Sequence, residues 1–450
     1  MNDSFGLSGD AKAALLARLA NRRPATSAEP VPEPKPPLGK PEVAGEIAMV
    51  RRAGEALGIP NPFFRAHDGI AGATSMIDGK SYDNFVSYNY LGLNGDPRVA
   101  QAAKDAIDRY GTSVSASRIV SGERPIHRAL ERALAAVYQA EDAIALVSGH
   151  ATNVTVIGHL VGRDDLILHD SLSHNSIVQG ALMSGARRIS FPHNDMDELD
   201  RMLGASRGQA DRALIVVEGH YSMDGDVPDL ARLVEIARKH RAHLMVDEAH
   251  SLGVLGARGH GIAEHAGVDP KEIDLWMGTL SKTLSGCGGY IAGSAELIDY
   301  LKHSAPGFVY SVGLPPPVAA AALASLEIMH AEPERVATLQ ANGRIFLDAC
   351  RASGLDTGPS IGSAIVPVMT GSSIVAARAA DALFQAGINV QPIIYPAVPE
   401  NGARLRFFLS ELHEPVQLQR VAEQIAMTLA SLTGAGVDLG ALATKLSRAL

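Results

Sequence analysis

Lys282 stands in GTLSKTLSG (278–286), just past an apolar run at 273–277 that reads as a short buried strand. An amine held among hydroxyls and glycines at a strand end is easily driven neutral by burial, and a neutral lysine is the nucleophile of Schiff-base chemistry. Taken alone, such a lysine is ordinarily a solvated loop residue. Its company upstream argues otherwise. Polar clusters close successive apolar runs: SGHATN (148–153), HDSLSHNS (169–176), EGHYSMDGD (218–226) and VDEAH (246–250). One Asp or His at a strand end is usually a cap or a satisfied core group. Ligands of open parallel sheets sit at the carboxyl ends of strands, so this many clusters, with one lysine among them, read as a single site.

The elements that must position these clusters follow from periodicity. Apolar strand candidates at 143–147, 166–169, 188–191, 213–218, 243–247, 274–278 and 290–292 alternate with helical or loop stretches. Near-continuous apolar strands between helices predict an α/β fold, a mostly parallel seven-stranded sheet covered on both faces. FVSYNYLGL (85–93) reads as a strand running into a glycine turn, and helical spacing follows at 96–110 and around 127–140. Beyond Pro315 a long Ala-rich helix begins, and strands at 364–369, 388–392 and 405–409 before a last helix predict a smaller α+β domain. The expected organisation is a leader helix and Pro-rich tether (1–40), a segment packing with the small domain (41–94), a large domain (95–325), the small domain (326–435) and a tail helix (436–450). The tether is read from seven prolines within 23–41, a composition that makes a semi-rigid spacer. No internal repeat is visible.

At 450 residues, 46% hydrophobic and 20% charged, the chain has the make-up of a globular enzyme. A net charge of −9 disfavours nucleic acid and anionic membranes as partners. Two cysteines, Cys287 and Cys350, form no disulfide framework and have no metal-ligand spacing. With no apolar run of bilayer length and no signal pattern, a cytoplasmic location is expected.

A lysine and an Asp at buried strand ends fit one cofactor well. Pyridoxal phosphate needs a lysine for its aldehyde, a carboxylate for its pyridinium nitrogen, a ring against its face and a phosphate cradle. Here the chain resembles a known family. YNYLGL (88–93), SLSHNS (171–176), EGHYSMDGD (218–226), VDEAHSLG (246–253) and GTLSKT (278–283) are similar, in order, to the signatures of the α-oxoamine synthases, which are fold-type-I pyridoxal-phosphate enzymes. The resemblance covers about 45–432.

It implies that Lys282 joins the cofactor and then removes the substrate Cα proton, and that Asp247 pairs with the pyridinium nitrogen. His250 with Ser222 would approach the ring 3′-oxygen, and His174 would stack on the ring. Gly149, His150, Thr279 and Ser281 would hold the phosphate; His150 stands where many relatives carry Tyr or Phe. Asn89 and Arg406 would contact the amino-acid carboxylate, with Arg404 as the alternative. Tyr310 and Ser311 match a segment that reaches the neighbouring subunit's phosphate, so a homodimer is implied. The implied activity is condensation of a small amino acid (glycine, alanine or serine) with an acyl thioester, with loss of CO₂.

IIYPAVP (393–399) lacks the arginine of bacterial serine palmitoyltransferases and leaves the amino acid open. The leader looks like sequence flanking polyketide-synthase carrier proteins, so an acyl carrier protein is the expected acyl donor, with coenzyme A thioesters as the alternative. A fold-type-I aminotransferase and a non-catalytic partner subunit are the rival readings; SLSHNS and Lys282 argue against them in turn.

Overall fold

Strands form where the chain is apolar on both faces. The computed structural model describes residues 9–20 and 38–434. Two strands come first, β1 (Thr74–Ile77) and β2 (Lys80–Asn84). The central sheet follows: β3 (Asp142–Leu146), β4 (Leu166–Asp170), β5 (Arg187–Phe191), β6 (Ala213–Glu218), β7 (His243–Asp247), β8 (Leu275–Thr279) and β9 (Gly289–Gly293). Its order is β3-β9-β8-β7-β6-β4-β5, and only β9 runs antiparallel. The expected seven strands are all present, within a residue or two of their predicted bounds.

Alternate residues of these strands feed two cores. Ile215, Val217, Val246 and Trp276 enter one, and Leu214, Val216, Met245 and Met277 enter the other. That double burial is why their sequences are apolar without alternation. It also leaves the strand ends as the places where polar side chains emerge.

The C-terminal part adds β10 (Ile365–Met369), β11 (Ile388–Asn389), β12 (Gln391–Ile393) and β13 (Arg404–Phe408). β13 lies between β10 and β12, antiparallel to both, while β11 pairs in parallel with β2. The early hairpin thus completes a three-stranded sheet with a strand some three hundred residues later.

The strand expected at 85–93 is not one. Phe85 spends its N–H on Asn389 O (3.0 Å) and its C=O on Phe408 N–H (2.9 Å), and the chain then turns at Gly92 (φ 67°). Phe85, Tyr90, Leu91 and Leu93 are buried completely. The apolar run reflects burial between the sheets, not a ladder.

The leader helix is present at Gly9–Ala20, with Leu16 exposed. The Pro-rich stretch at 21–37 and the tail expected at 436–450 lie outside the described residues. Among the described residues no helix is long and apolar enough to cross a membrane.

Candidate active site

The carboxyl ends of β6 and β7 put two acids side by side: Glu218 and Asp247 are register partners, and both are buried. Asp247 is held by two donors. Asn153 Nδ2 gives a hydrogen bond to Oδ2 at 2.8 Å, and the Ala249 N–H gives one to Oδ1 at 2.9 Å. Glu218 Oε1 accepts the His174 N–H at 2.6 Å. Burial first, and then the Asp247 carboxylate, push Glu218 up to about 8. Two buried anions at adjacent strand ends repel, so one keeps its proton near neutrality.

Lys282 follows β8. Its Nζ lies 5.6 Å from the Tyr88 ring centroid, and with Ser281, Tyr88 and Asn89 it lines a cleft of about 400 Å³. Burial pulls its pKa down to about 8 although Asp247 and Glu218 pull the other way. The amine is therefore poised between charged and nucleophilic forms at physiological pH.

Three imidazoles were expected here, and their surroundings differ. His250 is buried, its Nδ1 2.7 Å from the Tyr90 hydroxyl; burial first, then the Lys282 charge, hold it well below the usual range. His174 caps the helix Asn175–Ser184 and shares Nδ1 with Ser176 Oγ at 2.7 Å. Its pKa is lowered by burial against the pull of Asp247. His150 meets His174 edge-on, ring centroids 6.2 Å apart.

An anion cradle forms where β3 enters the helix Gly149–Leu160, capped by Ser148 accepting from the Ala151 N–H at 3.3 Å. A Cβ on Gly149 would lie 2.7 Å from Thr279 Oγ1, so only glycine fits. The Thr279 hydroxyl donates to Gly288 O (2.9 Å) and receives the Ser281 N–H (3.2 Å). Helix N–H groups with flanking hydroxyls are what a phosphate requires.

The two candidate arginines separate clearly. Arg404 is ion-paired with Asp224 and also donates to Met223 O at 3.1 Å. Arg406, two residues on along β13, donates to the neutral acceptors Ser222 O (3.1 Å) and Met223 Sδ (3.3 Å), lies over the Phe408 ring at 4.6 Å and has the Tyr88 hydroxyl beside it. Its buried Nε has no partner, and among the described residues it faces no carboxylate. A largely buried cation left without an anion is costly, by several kcal/mol, and is a ready receptor for one.

Other expectations met different surroundings. Asn89 is buried with both ends of its amide engaged, Nδ2 on Ala71 O (2.9 Å) and Oδ1 on the Asn94 N–H (3.1 Å). Ser222 contributes its carbonyl to Arg406. Ser311 donates to Val312 O (3.3 Å) beside the exposed Tyr310, and neither lines the cleft. Glu218, Asn153, Tyr88 and Tyr90 were not singled out from sequence, although Glu218 and Tyr88 open quoted motifs.

A pyridoxal phosphate fits this donor set. The chain has an amine near its neutral form, an anchored carboxylate, a glycine-walled helix terminus and an unsatisfied guanidinium within electrostatic reach of the amine.

Known proteins resemble this chain. Residues 82–425 match the family Aminotransferase class I and II. The chain is 41% identical over 387 residues to the 8-amino-7-oxononanoate synthase of Geobacter sulfurreducens, covering 85% of this chain and 97% of that protein. It is 39% identical over 350 residues to the serine palmitoyltransferase of Sphingobacterium spiritivorum, covering 78% and 87%. Among solved structures, Sphingomonas wittichii serine palmitoyltransferase superposes with a TM-score of 0.82 at 31% identity, covering 88% of this chain and 98% of that one.

Proposed function

The chain belongs to the class I and II aminotransferases and, within them, to the α-oxoamine synthases, and from that membership we propose that it acylates the Cα of a small amino acid. The observation that carries the proposal is Arg406, a largely buried guanidinium without an anion, within electrostatic reach of a lysine pulled down to about 8. In the reaction a C–C bond forms between Cα and the acyl carbon, the C–S bond breaks, the thiol leaves, and CO₂ is lost to give an α-aminoketone.

Bound pyridoxal phosphate supplies an electron sink for the pair left on Cα. The chain's own residues do the rest. Lys282 Nζ would hold the cofactor through its aldehyde carbon and, as a free amine, would accept the Cα proton. Asp247, fixed by Asn153 and Ala249, would hold the pyridinium charge, and His250 with Ser222 the ring 3′-oxygen. His174 would lie on the ring face. Gly149, His150, Thr279 and Ser281 would hold the phosphate. Arg406, with Asn89, would take the carboxylate; the fork geometry of a guanidinium fixes which Cα bond is weakened. A second copy of the chain would bring Ser311 to its neighbour's phosphate, a reading supported by the exposure of Tyr310.

Because the neutral amine is the reactive form, uptake of pyridoxal phosphate by the apoprotein should rise as the pH passes about 8. A stopped-flow absorbance series that instead rises only near the ordinary lysine value of 10.5 would contradict the site's electrostatics. The substrate is tested by asking which of glycine, alanine and serine perturbs the cofactor spectrum and exchanges its α-hydrogen with solvent.

The acyl donor we assign is an acyl carrier protein engaged through the tethered leader helix. Rates with acyl carrier protein should exceed those with the matching acyl-CoA, and deletion of residues 1–40 should remove the difference. Equal rates in all four arms would remove the docking role. Thioester-independent exchange with 2-oxo acids would replace the synthase reading by an aminotransferase one.

A further inference from the structure

His193 and Asn194 follow β5, outside the cleft, and no step above uses them. His193 Nδ1 lies 2.9 Å from Asp170 Oδ1, at the end of β4, and its Nε2 lies 2.8 Å from Asp226 Oδ2. With a carboxylate at each nitrogen, both can donate only if the ring is protonated. Burial opposes that charge, but the bonds to Asp170 and Asp226 overcome it and hold the pKa up at about 10. The Tyr221 ring packs against the imidazole at 4.6 Å and 88°. Asn194 donates its N–H to Asp170 Oδ2 (2.9 Å) and its side-chain amide to Asp226 Oδ2 (2.8 Å) and Val227 O (3.2 Å).

What this pair grips is one end of the segment 219–226, which crosses from the large sheet to the small one. Gly225 (φ 69°) passes so close to β10 that a Cβ would lie 2.2 Å from Ile365 O, and Gly225 O accepts the Ile361 N–H at 3.0 Å. Midway along the segment, Ser222 O and Met223 Sδ are the acceptors of Arg406, while Asp224 and Met223 O hold Arg404. A carbonyl and a thioether aim a guanidinium weakly compared with a carboxylate, so the direction of the Arg406 head, which also rests over the Phe408 ring at 4.6 Å, is sensitive to where this segment sits.

We propose that His193 and Asn194 are positioning residues that staple the 219–226 segment and thereby aim Arg406 at the amino-acid carboxylate. The inference rests on the assignment of Arg406 made above.

The test uses the holoenzyme and reads amino-acid affinity from the cofactor's spectral change, together with kcat, the thioester KM and the thermal midpoint. His193→Leu should raise the amino-acid Kd and KM about tenfold to a hundredfold, the scale of a misplacement of about 1 Å, with kcat at saturation and thioester KM little changed. His193→Gln, which keeps a donor for Asp226, should recover part of the loss. Asn194→Gly removes the side-chain amide bonds and keeps the backbone one, since glycine accepts the positive φ of 54° without steric strain, and should weaken binding in the same direction. Combined with Arg406→Lys, each effect should fall short of additive. If His193→Leu does not fold, the other two variants carry the test. Variants that melt earlier yet bind the amino acid normally would make the staple merely structural, and full additivity with Arg406→Lys would likewise overturn the inference. Unchanged amino-acid binding in Arg406→Lys itself would instead sink the carboxylate assignment.

Discussion

Lys282→Ala is expected to fold, to lose the visible absorbance of the holoenzyme, and to show no turnover, a loss of up to about 10⁴-fold from removal of the base alone and more with the cofactor's anchorage gone. The cleft offers no substitute. Among the described residues lining it, Lys282 is the only amine, and the titratable rings in that lining are His67 and Tyr88. Lys282→Arg separates charge from chemistry: it keeps a cation near Asp247 and Glu218, but a guanidinium cannot give up its proton at these pH values. Arg should therefore be as inactive as Ala, even if it folds better. Far-ultraviolet circular dichroism, visible absorbance and product formation would be compared across the three proteins. An Ala variant that kept its colour and turned over would remove Lys282 from the reaction.

What could be read from sequence was what burial writes into composition. Strands β4, β6 and β7 carry unbroken apolar runs at 166–168, 213–217 and 244–246 because both faces are covered, and their polar terminators emerge at the site by necessity. The same signal misled at 85–93, where Phe85, Tyr90 and Leu91 are apolar because they fill the space between sheets. Periodicity reports water exclusion, not the partner of a backbone N–H. From sequence, Arg406 is preferred to Arg404 through the resemblance alone, because residues two apart on a strand share a face. Their difference lies in Asp224, remote in sequence, which occupies one and leaves the other free. Glu218 stood in view inside a motif, yet its importance depends on a register that sets it beside Asp247. His193 and Asn194 carried no signal at all, since a His-Asn pair after a strand is an ordinary turn until two distant carboxylates converge on it.

Asp247→Asn should keep its cofactor, because Lys282 and the Gly149 cradle are untouched, while losing about 10³-fold or more in rate as the fixed negative charge disappears. The substitution is nearly isosteric, but not neutral in hydrogen bonding. Asp247 now accepts from both Asn153 and Ala249; an amide offers one acceptor, so one donor must face an NH₂ group. A second consequence concerns Glu218, which Asp247 helps to push up to about 8. Removing the neighbouring anion favours ionised Glu218, so its pKa should fall below about 8 and its carboxylate form become more populated near neutrality, although burial, the larger cause, still holds it above the ordinary 4.5. That anion sits at the end of the adjacent strand and can restore a little of the lost field. Asp247→Asn combined with Glu218→Gln should therefore be slower than Asp247→Asn alone, most visibly above the shifted Glu218 pKa, whereas Glu218→Gln alone should cost little below pH 8. Pre-steady-state loss of the substrate α-hydrogen across pH 5–9 would read both effects. Near-normal rates in Asp247→Asn would mean that charge at the end of β7 is not what stabilises the carbanion.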